Sequence, residues 1–87
     1  MKLYREIENS FPLMEKLFTK EDLLEFKNAP VSELCMYHFS LGLWIRNNLL
    51  KEKSPLYKLF LENGVEHPDD MSSLMIKLFH YCVSKKN

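Results

Sequence analysis

Polar residues capable of chemistry interrupt an otherwise apolar run in the middle of the chain. The run, residues 37–48, reads YHFSLGLWIRNN, and its candidate binding residues are Trp44, Arg46, Asn47 and Asn48. An indole stacks on flat groups, a guanidinium holds an anion through paired N–H groups, and amides fix orientation. These side chains suit a nucleotide-like or carboxylate ligand. They equally suit a protein interface, where Trp and Arg are enriched.

A second polar run supplies candidate partners for the first. Residues 67–73 read HPDDMSS, and the candidate binding residues are His67, Asp69 and Asp70. Pro at the first helical position and carboxylates in the first turn both favour a helix start here. Because a half-buried guanidinium is usually paired, we expect the two runs to touch, with Arg46 facing Asp69 or Asp70.

The residue types support catalysis and metal binding less than they support ligand or protein binding. A hydrolase would need His38 or His67 within hydrogen-bond distance of an aspartate in a cleft. Ser72 and Ser73 lack the Gly-x-Ser-x-Gly surroundings of a nucleophile. No HExxH or Glu-x-x-His spacing involves these histidines or His80. The sequence therefore predicts a non-enzymatic chain without a metal or another cofactor.

Helical signals recur along the chain and must position both runs. Helix one is predicted over Phe11–Phe18, with Ser10 as its N-cap. Helix two follows a capping-box pattern at Thr19 and ends near Lys27, because Pro30 disfavours the helical conformation in the residue before it.

Helix three is predicted from Pro30 to Leu50, which would make it the long central helix of the fold. One face carries Leu34, His38, Leu41, Ile45 and Leu49, and the opposite side carries Met36, Phe39, Leu43 and Leu50. A helix that is apolar on both sides is wrapped by its neighbours or touches another chain. Gly42 lies mid-helix at a cost of about 1 kcal/mol relative to Ala, which favours close approach by another helix or a ligand.

The last two helices have clear boundaries. Ser54 followed by Pro begins helix four, and Gly64 closes it in the left-handed C-cap position. Pro68 begins helix five, and the tail Ser84–Asn87 is expected to fray. The cysteines, Cys35 and Cys82, lack metal-ligand spacing and are expected to be reduced, buried thiols on apolar helix faces.

Composition bounds the fold and the partners. The 87 residues are 46% hydrophobic, with 12 basic and 12 acidic side chains, which fits one domain over residues 1–87 with a core over 10–83. Zero net charge argues against nucleic acid as a partner, because binding nucleic acid requires a basic face.

We expect no membrane partner and a cytoplasmic location, because no apolar run is long enough to span a bilayer and MKLYREIENS is not a signal segment. The predicted fold is all-α, a compact bundle of about five helices around helix three.

Three blocks of the chain resemble a family of small, all-helical, bacterial and phage-associated domains with no established activity. They are Asp22–Lys27, Tyr37–Asn48 and His67–Ser73, and the similarity spans residues 10–83. The family pattern contains G-x-W-I-R-N-N and, later, G-x-x-H-P-D-D-M-S-S, both of which this chain matches. Aromatic residues often follow the Asn pair in the family, whereas LLK stands here at 49–51. The resemblance implies a helical domain and no particular activity.

Two functions are consistent with these patterns. The first is a binding module that acts through protein contacts, by self-association or as an inhibitor- or immunity-type partner, because helix three is apolar on both sides. The second is a small-ligand binder that sequesters a nucleotide-like or anionic molecule in a concave pocket. Pairing of Arg46 with Asp69 or Asp70, together with a Trp44 packed without a cavity, would remove the second hypothesis.

Overall fold

Helices form the whole framework of the computed structural model, which describes residues 2–52 and 54–85. The α-helices are α1 (Lys2–Glu15), α2 (Lys20–Asn28), α3 (Leu41–Asn48), α4 (Pro55–Glu62) and α5 (Pro68–Lys85), and a 3-10 helix (Val31–Tyr37) joins α2 to α3. No strand occurs within these residues, so the predicted all-α class is confirmed. None of these helices is long and apolar enough to cross a membrane.

The helix at the centre of the packing is α5. It has 18 residues and contacts α1, α2, α3 and the 3-10 helix, while α1 also packs against α4. Its inward side chains follow helical spacing and include Met71, Met75, Ile76, Phe79 and Val83. The prediction that helix three is central is therefore wrong. The tail was predicted to fray from Ser84, but Ser84 and Lys85 belong to α5. Residues 86–87 lie outside the described residues.

Helix three consists of two elements rather than one. The 3-10 helix ends at Tyr37, residues 38–40 form a turn, and α3 begins at Leu41. The segment before the turn is rich in poor helix formers, and its N-cap, Pro30, makes no side-chain hydrogen bond. Within the 3-10 helix only Leu34 is buried, so packing does little to impose α-helical geometry there. Leu34, Leu41 and Ile45 nevertheless share the buried side, as the helical phasing predicts.

The first helix is longer than predicted and begins at Lys2. Leu3 and Ile7 continue the buried stripe of Phe11 toward the N-terminus, and this packing extends the helix. Ser10 is therefore buried inside α1 instead of capping it, and its hydroxyl donates to the Ile7 carbonyl at 2.6 Å. Pro12 is an interior residue of the helix and not part of its first turn.

Helix one ends at Glu15 and not at the predicted Phe18, and α3 ends at Asn48 and not at Leu50. The predicted starts of α2, α4 and α5 and the end of α4 are confirmed. Thr19 Oγ1 accepts the Asp22 N–H at 3.0 Å, and Ser54 Oγ accepts the Tyr57 N–H at 3.1 Å, so each hydroxyl satisfies a free amide of the first helical turn. Gly64 follows α4 with φ of 83°, a conformation that costs glycine little.

Neither cysteine is fully buried, which differs from the prediction. Cys35 is exposed on the 3-10 helix, and Cys82 is half-buried on α5; both are free thiols. The prediction of a buried Cys35 assumes α-helical spacing. It is wrong because the segment is a 3-10 helix, in which residues face different directions.

Phe26 organises an aromatic cluster that fixes the 3-10 helix against α2 and α5. Its ring stacks on Phe79 at 5.4 Å between centroids. The edges of Tyr37 and His80 meet it at 4.8 and 5.3 Å, in nearly perpendicular arrangements. This cluster determines which side of the 3-10 helix faces the core and which side faces solvent.

Candidate functional site

The two polar runs of the sequence meet at Arg46, where α3 crosses the start of α5. Its Nη1 donates to Ser72 Oγ at 3.0 Å, and its Nη2 donates to the His38 carbonyl at 3.5 Å. Its Nε lies 3.6 Å from Asp69 Oδ1. The predicted contact between the runs is confirmed, with Asp69 and not Asp70 facing the guanidinium.

Ser72 is the buried member of this node. It is fully inaccessible, and its hydroxyl accepts from Arg46 while donating to the Asp69 carbonyl at 3.1 Å. A buried hydroxyl that both accepts and donates in this way ties two helices together, and its proton is already committed to the Asp69 carbonyl.

The histidine beside the node is not in a catalytic arrangement. His38 Nε2 lies 3.9 Å from Asp69 Oδ1, which exceeds hydrogen-bond length. Its ring instead meets Phe39 edge-on at 5.5 Å between centroids.

Gly42 has the close approach that the sequence predicts. A β-carbon there would lie 3.6 Å from Ile76 Cδ1 of α5 and 3.1 Å from Arg46 Nη1. The glycine therefore lets α5 and the guanidinium pack closely against α3.

The remaining predicted site residues do not join the Arg46 node. Asn48 Nδ2 donates to the Trp44 carbonyl at 2.9 Å within α3, and Asn47 is exposed. His67 and Asp70 are exposed at the start of α5. Trp44, two residues before Arg46, points to another side of α3 and lines a different hollow.

Exposed apolar side chains lie along the 3-10 helix and the start of α3. We call this set the apolar ridge: Val31, Met36, Phe39 and Leu43. Their exposed fractions are 66%, 72%, 81% and 49%, respectively. Met36, Phe39 and Leu43 belong to the side of helix three that the sequence predicts to be wrapped by neighbours or to touch another chain. No described element covers these three side chains, whereas Leu50, the fourth residue of that side, is buried.

A concave surface runs along the other side of the 3-10 helix, toward α2. It consists of two hollows of about 460 and 480 Å³ that share Glu25, Tyr37 and Ser40. We call it the acidic trough, lined principally by Leu17, Phe18, Asp22, Glu25, Glu33, Met36, Tyr37 and Trp44. Burial raises the pKa of the Tyr37 hydroxyl, and the carboxylates of Glu25, Asp22 and Glu33 raise that pKa further.

Residues 5–82 match the family described as a domain of unknown function, DUF6794. The chain belongs to this family. The matched range covers all of α2 through α4, the 3-10 helix and most of α5, so the apolar ridge and the acidic trough both lie within the family domain. Comparison with curated proteins and with solved structures gives no significant match. Within residues 2–52 and 54–85, no cluster of three or more His, Cys, Asp or Glu could hold a metal ion.

Sequence reasoning missed two structural roles in this domain. His80 is buried and its Nε2 lies 2.8 Å from the Ala29 carbonyl; because a carbonyl only accepts, Nε2 donates and links α5 to the end of α2. The residues around Ser72 indicate only that it is not a nucleophile. No local pattern signals either role, because Ala29, which bonds His80, and Arg46, which bonds Ser72, lie far away along the chain. The spacing of Ser72 on the buried face of α5 is the sole hint.

Proposed function

We propose that this chain is a non-enzymatic protein-binding module whose docking surface is the apolar ridge. The proposal rests on where the most exposed large apolar side chains of the described residues lie. The three most exposed, Phe39, Met36 and Val31, all lie within nine consecutive residues, 31–39. Single exposed apolar residues are ordinary, whereas a local cluster of them is typical of an interaction site.

The ridge contributes little to the fold that presents it. Leu34 and Tyr37 anchor the 3-10 helix on its inner side, the first by burial and the second against Phe26. Phe39 at 81% exposure and Met36 at 72% have little contact with the core. Their apolar area is therefore available to a partner, and burying it would favour association.

Charge at the Met36 end of the ridge favours a different protein over a second copy of this chain. Glu33 and Glu25 line the same hollow as Met36. The hollow that Val31 and Phe39 share, by contrast, contains Lys77 and, among the described residues, no carboxylate. A two-fold interface centred on Met36 would place the same carboxylates opposite each other, and like charges across an interface are unfavourable. The expected partner presents its own apolar patch, without acidic side chains where it meets Met36.

The geometry gives less support to a small anionic ligand. Arg46, the side chain best suited to grip an anion, already faces Ser72, Asp69 and the His38 carbonyl. Trp44 lines the acidic trough, whose carboxylates repel an anion. Protein binding is therefore the function that we propose.

The test compares three immobilised baits in an extract of the source cells. They are the wild type, the Phe39→Ser/Met36→Ser double variant, and Leu24→Ser, which removes a 58% exposed apolar side chain from α2. We expect a protein retained by the wild type and the control and depleted about tenfold or more on the double variant, since central interface side chains each contribute more than about 1 kcal/mol.

Two further results bear on this test. Light scattering of the isolated chain measures self-association, and a dimer that only the double variant dissolves would put a second copy on the ridge in place of another protein. Equal retention on all three baits, or no retained protein on any of them, would contradict the proposal.

A further inference from the structure

The acidic trough has more volume than a single small group needs. Its two hollows, of about 460 and 480 Å³, adjoin at Glu25, Tyr37 and Ser40, which line both of them. Leu17, 46% exposed, lies toward one end, and Met36, 72% exposed, lies toward the other. Each hollow alone falls within the size range of small-ligand sites, so the pair exceeds what one side chain needs.

Aromatic side chains in the trough are held in place by the fold. Tyr37 packs edge-on against Phe26 at 4.8 Å, and Phe18 packs against Phe26 at 5.3 Å between centroids. The side chain of Trp44, on α3, is half-buried and packs against the hydrophobic core. Rings fixed in this way present their faces and edges with little loss of rotamer freedom on binding.

Charge in the trough has one sign. Asp22 and Glu25 line one hollow, and Glu25 and Glu33 line the other; no basic side chain among the described residues lines either of them. Neither Asp22 nor Glu25 makes an ion pair with any residue in 2–52 or 54–85. Their charges are therefore free to act on whatever occupies the trough.

An aromatic-walled, carboxylate-lined trough selects a basic group carried on an apolar stem. Lysine and arginine bury their methylene stems on apolar surface while their charged ends remain near solvent or carboxylates. A cation over the face of Trp or Tyr gains a further attraction from the ring. Acidic segments are repelled, and purely apolar segments leave the carboxylates without a partner.

We infer that the acidic trough takes a basic, amphipathic segment of the partner protein, with a Lys or Arg side chain between Tyr37 and Trp44 and opposite Asp22 and Glu25. This inference rests on the proposed function, because it specifies the chemistry of the partner that the ridge would bind. Met36 belongs to both surfaces, so one partner can cover the ridge and reach into the trough.

The test uses Trp44 as its reporter, because it is the single Trp of the chain. A short amphipathic helix-forming peptide of leucine and lysine is titrated into the full chain, and the change in Trp44 fluorescence gives an apparent Kd. Two control peptides replace lysine by glutamate, or keep the composition in a scrambled, non-amphipathic order. We expect saturable binding of the first peptide alone, weakening as salt increases.

Neutralising variants locate the site. Glu25→Gln and Asp22→Asn should each weaken binding of the basic peptide about threefold, and the double variant about tenfold. Glu21→Gln is the matched control, because Glu21 lies beside Asp22 in the first turn of α2 but does not line the trough. Its Kd should equal that of the wild type. Equal effects of Glu21→Gln and Glu25→Gln would mean general charge attraction and overturn the inference.

The outcomes also separate this inference from the proposed function. If Phe39→Ser/Met36→Ser abolishes partner capture while the basic peptide leaves Trp44 unchanged, the docking surface stands and the trough inference is overturned. If the peptide binds in the trough as described but the ridge variants retain the partner equally, the trough is a binding site and the ridge is not. Binding of the glutamate peptide with equal strength would also overturn the inference.

Discussion

Arg46 links three parts of the chain through a single guanidinium. Its strongest contact is the 3.0 Å bond to Ser72 Oγ, because that hydroxyl is fully buried and has no water to replace the donor. The ion pair with Asp69 is longer, at 3.6 Å, and the Asp69 side chain is 73% exposed, so water and salt screen it. We infer that the buried hydrogen bond, and not the salt bridge, determines the energetic importance of Arg46.

Substitutions at the two partners test this ranking. Arg46→Met keeps most of the apolar stem but leaves Ser72 without its donor, and we expect the free energy of unfolding to fall by about 1–3 kcal/mol. Asp69→Asn removes the exposed ion pair and one favourable charge in the first turn of α5, and together these should cost about 1 kcal/mol or less. Urea denaturation followed by circular dichroism measures both values. A loss at Asp69→Asn equal to that at Arg46→Met would assign the stabilisation to the ion pair instead.

Tyr37 reports the electrostatics of the acidic trough. Burial is the largest cause of its raised pKa, and Glu25 is the next. Glu25→Gln should therefore lower the pKa of Tyr37 without returning it to the ordinary value, as measured from ring carbon shifts by NMR. Because the folded-state pKa lies above the unfolded one, this tyrosine's contribution to stability is complete below about pH 10 and is lost as the pH rises further. An unchanged pKa in Glu25→Gln would show that the carboxylate does not act on the trough.

Among the elements, those whose boundaries depend on local chemistry could be predicted from the sequence. Thr19, Ser54 and Gly64 act on backbone groups within a few residues of themselves, so the pattern alone determines the result. The division of helix three could not be predicted in this way. Its apolar phasing fits one long helix, and the 3-10 helix arises because packing against Phe26 and α5 anchors only part of the segment.

Ser54 should contribute more to stability than the equivalent cap of α2. Its hydroxyl accepts from the Tyr57 N–H and also donates to the Leu49 carbonyl at 2.9 Å, which joins the end of α3 to the start of α4. Within the described part of the chain, the Thr19 hydroxyl makes only the capping bond. We expect Ser54→Ala to lower the free energy of unfolding by about 2 kcal/mol and Thr19→Ala by about 1 kcal/mol. Thermal or urea unfolding measures the difference, and equal losses would mean that the bond to Leu49 contributes nothing.

For the molecule as a whole, the sequence predicts the helical class and the Arg46–Asp69 contact but not the position of the candidate site. The site residues that the sequence predicts are polar, and the strongest candidate among them, Arg46, stabilises the fold. Of the ridge, the sequence indicates only Met36, Phe39 and Leu43, as part of the second apolar side of helix three. Whether such a side is covered depends on where α5 packs, and no local sequence pattern predicts the position of α5.

The central claim is that another protein binds the apolar ridge, and amide hydrogen exchange of the chain alone and in complex with its captured partner tests it most directly. In the free chain, we expect amides of Val31–Tyr37 to exchange faster than those of α5, because 3-10 hydrogen bonds are poorer and the segment has one buried side chain. In the complex, exchange over residues 31–43 should slow about tenfold or more, while α1 and α4 remain unchanged. Protection confined to α1 and α4, with residues 31–43 unaffected, would contradict the account.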